Sequence, residues 1–144
     1  MIIDGKKIAE ELKNSFKKEV ALLNNVPNLV VVIVGKDSAS KQFVDIKKRF
    51  ANDVGIPIQL IYFPKETNTK TLVDVVKNLS TDNKVSGIVV QLPLPKHIDT
   101  QEVLNTVSVE KDIDVLSSIA VERFNKGESQ ILPPVVGAFD EILR

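Results

Sequence analysis

The chain has no cysteine and only one histidine, His97. Without cysteine there is no disulfide, no thiolate nucleophile and no cysteine-ligated metal, and one histidine cannot build a multi-histidine centre. No metal site is expected. Charge of one sign is not in excess either: nineteen basic and nineteen acidic side chains cancel to a formal net charge of +0. That balance leaves no electrostatic footprint for nucleic acid or for an anionic membrane. The apolar runs are too short to span a bilayer, and the N-terminus lacks the apolar core of a signal peptide. A cytoplasmic protein is expected. The six glycines stand apart, at positions 5, 35, 55, 87, 127 and 137, so the clustered GxGxxG fingerprint of a dinucleotide site is missing.

What is present is ordinary for a globular domain: 144 residues, 43% hydrophobic and 26% charged. A chain of this length buries about 68–70% of its unfolded surface, enough for one real core. Ile8, Leu12, Phe16 and Val20 recur every four residues, which predicts a helix over residues 4–23 with Asp4 as its cap. The run Leu29 to Val34, β-branched after its leucine, predicts a buried strand. Asp37 or Ser38 can cap the next helix, and Gly55 supplies its stop. A strand over 58–63, a helix over 67–79, a strand over 84–91 and a short helix over 100–107 follow. Residues 108–130 carry no clear period. Pro133-Pro134 breaks the chain before a last helical pattern over 136–143. Strands alternate with helices, and each crossover is long enough for a right-handed βαβ unit. The fold expected is α/β: an open, mostly parallel sheet with helices on both faces, in one domain over residues 1–144.

Chemistry concentrates in three places. In Gly87-Ile88-Val89-Val90-Gln91-Leu92-Pro93-Leu94-Pro95 an apolar strand ends in an amide and then a rigid turn. Ligands of α/β sheets bind beyond the carboxyl ends of strands, where Gln91 stands. Ser40, Phe43 and Lys47 are spaced three and four apart, on one helical face; Lys48 lies about 100° further round. An aromatic ring and an ammonium one turn apart can stack on a ligand and move a proton. In Asp112-Ile113-Asp114 the two carboxylates point to opposite sides of an extended chain, so one can face a ligand while the other serves the structure. His97 follows two prolines in a polar turn and reads as structural or surface.

Three segments, in order, carry a family resemblance. "GIVVQLPLPKHI", "VGKDSASKQFVDIKKRFANDVGI" and "EKDIDVL", with the opening "IIDGKKIAEEL", resemble the bifunctional methylenetetrahydrofolate dehydrogenase / methenyltetrahydrofolate cyclohydrolase family, through its N-terminal catalytic domain. The resemblance implies an enzyme of one-carbon folate metabolism. It oxidises 5,10-methylenetetrahydrofolate with NAD(P)+ and hydrolyses the methenyl product to 10-formyltetrahydrofolate. It makes Lys47 the general acid/base, Gln91 the amide that hydrogen-bonds it, and Asp114 the pterin-binding carboxylate. Ser40, Phe43, Leu92 and Pro93 would line the folate site, with Pro95 beside them, and Asp112 would be structural. The nucleotide, NAD(P), belongs to a second, Rossmann domain that is expected to lie outside these residues, so no cofactor is expected on this chain alone. The family homodimer forms largely through that domain, so this chain is expected as a monomer or in another pairing.

Several positions depart from the family pattern. Phe43 stands where the family has tyrosine, Val115 where it has glycine, and Ala120 and Glu122 where it tends to asparagine and glycine. Leu132-Pro133-Pro134-Val135-Val136-Gly137 replaces a Pro-Cys-Thr-Pro block. The rival from another class is a non-catalytic folate-binding or regulatory relative, which binds without turnover. A receiver-like domain ranks lower, because the first strand ends Val34-Gly35-Lys36 rather than in acidic residues.

Overall fold

The computed structural model describes residues 3–35 and 38–143, with the side chains of 38–40 left out of the description. The capping choice between Asp37 and Ser38, and the Ser40 side chain, therefore lie outside the described residues.

Three strands make one parallel sheet: β1 (Leu29–Val34), β2 (Ile58–Phe63) and β3 (Gly87–Val90), in the order β2-β1-β3. Leu29 pairs with Ile58 on one side and Gly87 on the other, and Val32 with Ile61 and Val90. β1 is central and buried along nearly its whole length, which is why its sequence is a continuous apolar run rather than an alternating one.

Alternation along β1 sorts its side chains to two faces. Val30, Val32 and Val34 join Ile88 and Val90 in a core with Leu72 and Val76 of α3 (Thr69–Thr81) and Val103 and Leu104 of α4 (Thr100–Asn105). Val31, Ile33 and Val89 pack on the other face with Val44 of α2 (Ser38–Val54). The result is three layers. The chain goes from β1 out to β2, then back past β1 to β3. Right-handed crossovers in opposite directions put α2 and α3 on opposite faces. The carboxyl ends of β1 and β3 form the switch point where such sheets bind ligands.

Beyond the sheet, α1 (Gly5–Ala21) starts at Asp4, whose carboxylate accepts from Lys6 N and Lys7 N. It meets α2 through an edge-on contact of Phe16 with Phe50, ring centroids 6.4 Å apart. Lys13 of α1 bridges Glu10 at 2.8 Å and Asp53 of α2 at 3.6 Å; the hydrogen bond to Glu10 holds its ammonium above the ordinary lysine range, with burial opposing and both carboxylates adding to the rise.

The structure moves some of the expected bounds. α3 begins at Thr69 rather than at 67 because Asn68 caps it, its Oδ1 accepting from Thr71 N at 2.8 Å. β3 is shorter than 84–91: Val85 is still in a turn closed on Asp82 O, and Gln91 has left the strand although its N–H reaches Val32 O at 2.9 Å. α6 (Pro134–Leu143) starts at Pro134 itself, which needs no N–H at a first helical position. The segment without a clear period holds a short 3-10 turn (Val109–Lys111), a bridge from Asp112 to Ile88, and α5 (Ser118–Asn125), capped by Ser117 Oγ on Ala120 N.

Candidate folate site

On α2, Val44, Ala51 and Val54 are buried. Lys47 lies one turn beyond Val44 on nearly the same side, so its stem leaves the core and its ammonium emerges at the margin, 39% exposed. Asp114 comes from the turn that follows the bridge between Asp112 and Ile88, and its side chain is 23% exposed. Nζ of Lys47 and Oδ2 of Asp114 are 3.7 Å apart. Two residues far apart in sequence thus meet on the α2 side of the sheet, beside the outer edge of β3. A half-exposed ion pair of this kind contributes about 1 kcal/mol or less to stability; its interest is chemical, an ammonium and a carboxylate within reach of one ligand.

The turn that carries Asp114 is built around Asp112, which is 5% exposed. Its carbonyl accepts from Val115 N at 3.2 Å. Its carboxylate accepts from Leu116 N at 3.1 Å and Ser117 N at 2.8 Å. Val115 is left-handed, with φ of 54°, at the position where the family pattern has glycine. Ile113 fits beneath because residue 87 is glycine: a Cβ there would stand 2.9 Å from Ile113 Cγ2 and 2.8 Å from Leu29 Cδ2.

Gln91 follows Val89 by two residues, so its side chain continues onto the α2 side. It is 9% exposed. Nε2 donates to Leu92 O at 2.9 Å, and among the described residues Oε1 has no hydrogen-bond partner. The Gln91–Lys47 bond that the resemblance implies is therefore not formed; the described partner of Lys47 is Asp114. A buried acceptor left unpaired costs about 1–3 kcal/mol. Groups of that kind in folded proteins are few, and this one sits at the switch point with a lone pair free for a donor.

The other expected residues are placed as follows. Phe43, one turn before Lys47, is 60% exposed, an open aromatic face. Leu92 packs against the core on the α3 side, opposite to Lys47; its strand parity is the reverse of that of Gln91. Pro93 is exposed, after a cis Leu92–Pro93 bond. His97 ties two loops, its Nε2 2.9 Å from Thr67 O. Sequence reasoning passed over Lys111, whose Nζ donates to Leu79 O at 3.3 Å and Asp82 O at 2.8 Å at the end of α3. Only its place beside Asp112 hinted at a role.

The fold is that of a parallel α/β domain, with Lys47 and Asp114 paired beside the outer edge of its switch-point strand and Gln91 at that strand's end. Residues 3–114 match the profile of the tetrahydrofolate dehydrogenase/cyclohydrolase catalytic domain, and the chain belongs to that family. It is 39% identical over 137 residues to the bifunctional protein FolD of Pelagibacter ubique, covering 92% of this chain and 49% of the relative. Its fold is similar to that of a 5,10-methylenetetrahydrofolate dehydrogenase from the silkworm Bombyx mori (TM-score 0.94, 36% identity, 99% of this chain, 50% of that one). It is also similar to the Trypanosoma brucei methylenetetrahydrofolate dehydrogenase-cyclohydrolase, solved with NADP cofactor and an inhibitor (TM-score 0.92, 32% identity, 100% and 51%). The chain thus spans about half the length of these relatives.

Proposed function

We propose that residues 1–144 form the folate-binding catalytic domain of an enzyme that oxidises 5,10-methylenetetrahydrofolate with NAD(P)+ and hydrolyses the methenyl product to 10-formyltetrahydrofolate. The observation that carries the reading is the approach of Lys47 to Asp114, 3.7 Å apart, with Phe43 exposed one turn away. A pterin presents a ring N–H and an amino group side by side, a donor pair that suits one carboxylate; Asp114 takes that part. Phe43 offers the ring system a flat apolar contact.

In the hydrolytic step, water adds to the cationic methenyl carbon and gives up a proton. Lys47 accepts it as the new C–O bond forms, then returns a proton to the ring nitrogen as the C–N bond breaks; the carbinol O–H proton leaves to solvent as the formyl C=O forms. Gln91 Oε1 is the acceptor that can orient the amine without adding charge. For the hydride step, the six glycines of the sequence stand apart and form no clustered GxGxxG fingerprint.

The test is the decay of methenyltetrahydrofolate absorbance in a buffer of slow spontaneous hydrolysis. The lone chain is at most a weak cyclohydrolase: it accelerates decay modestly, and Lys47→Met loses that acceleration. Equal acceleration by both proteins excludes Lys47 as the acid/base. Decay at the buffer rate with intact folate binding makes the domain a binding relative instead.

A further inference from the structure

Among the described residues, Asp114 makes no side-chain hydrogen bond; its one described partner is Lys47. Its place is therefore set by the backbone beneath it. That backbone is fastened on both sides by two neighbouring charged residues. Lys111 donates to Leu79 O and Asp82 O, the carbonyl end of α3, where a cation meets the negative pole of the helix. Asp112 accepts from Leu116 N and Ser117 N, the amide end just ahead of α5, where an anion meets the positive pole. The two side chains thus bind helix ends of opposite polarity, and the segment between them is bridged to β3 at Ile88. Asp112 also closes the turn through its own carbonyl and so spans the left-handed Val115 from both sides.

We propose that Lys111 and Asp112 are positioning residues for folate: anchored to the ends of α3 and α5, they hold the turn that presents the Asp114 carboxylate beside Lys47. This rests on the reading of Asp114 as the pterin carboxylate. Neither residue touches the ligand. Their effect passes through the geometry of Asp114, which separates them from residues that only stabilise the fold.

A double-mutant cycle with 5-formyltetrahydrofolate as the probe tests this in the full chain, reading Kd by calorimetry and stability by urea unfolding. Asp114→Asn weakens binding. Asp112→Ala weakens it by about ten-fold when Asp114 is present and has no further effect in the Asp114→Asn background, because contacts that act through one another are not additive. Asp112→Asn, which keeps one accepting oxygen, restores part of the affinity. The stability loss from Asp112→Ala is the same in both backgrounds. If Asp112→Ala does not fold, Lys111→Met takes its place in the cycle; it removes two hydrogen bonds and keeps the aliphatic stem. Equal fold-losses of binding in both backgrounds overturn the positioning role and leave the function standing. No loss of binding from Asp114→Asn overturns the reading of Asp114, and the positioning role with it.

Discussion

Val115 holds φ at 54° with a β-branched side chain that is only 4% exposed. For an L-residue this conformation costs about 1–2 kcal/mol, because Cβ crowds the carbonyl that follows. It persists because the site is over-determined: Asp112 fixes the peptide on either side, and the buried valine side chain contributes about 1.5–3 kcal/mol of transfer free energy. The consequence is an inverted substitution order. At most positions glycine is less stable than alanine, by about 0.5–1 kcal/mol in a helix or strand. Here Val115→Gly relieves the backbone while Val115→Ala does not, so the glycine variant unfolds at higher urea than the alanine variant, by about 1 kcal/mol. Alanine ranking above glycine would mean that the turn does not need a left-handed residue. The sequence already marked this position through the glycine of the resembled pattern. It could not say that the valine itself adopts a left-handed φ, since that outcome depends on hydrogen bonds made across the turn by Asp112.

Among the elements, β1 and β2 were legible to the residue. Both are bounded by turn-forming residues, and β1 is an unbroken apolar run, β-branched from Val30 onward. α5 was not legible. It is eight residues long, its interior offers Ala120 as its one buried side chain, and its start is set by a Ser117 cap that looks like any loop serine in sequence. The bridge from Asp112 to β3 was equally hidden, because a single residue pair has no period to detect. Gly87 makes that bridge possible. Gly87→Ala puts a methyl 2.8 Å from Leu29 Cδ2 and 2.9 Å from Ile113 Cγ2. Leu29 can turn aside, but the branched Ile113 methyl is held close to its backbone. The substitution is expected to cost about 1–2 kcal/mol in urea unfolding, from overpacking less the entropy lost by the unfolded chain. It also displaces Ile113, and with it the turn that carries Asp114. Unchanged stability would show that Ile113 gives way freely and does not seat the turn.

Across the whole molecule, the layers follow from one rule applied twice. A parallel sheet buries both faces, and two crossovers of one hand in opposite directions place one helix on each. The fold class was therefore legible from the alternation of strands and helices. The candidate site was legible only in the placement of its parts. The spacing of Phe43 and Lys47 showed that they share a helix face, and the strand-end place of Gln91 marked the switch point. The pairing of Lys47 with Asp114 was not legible, because the two residues come together only when the chain beyond α4 returns to lie beside β3. Nor was the reversed parity of Leu92, which packs on the α3 side. Among the described residues no helix is long and apolar enough to cross a membrane.

The central claim is that Phe43, Lys47, Gln91 and Asp114 act on one folate. It is tested most directly by titrating the ¹⁵N-labelled chain with 5-formyltetrahydrofolate and following the backbone amides. The account predicts that the amides of Phe43, Lys47 and Gln91 and those of residues 113–116 shift together along one binding curve, while Lys13 and its neighbours on α1 stay still. Shifts confined to surfaces away from Lys47 and Asp114, or no saturable shift at any folate concentration, would contradict it.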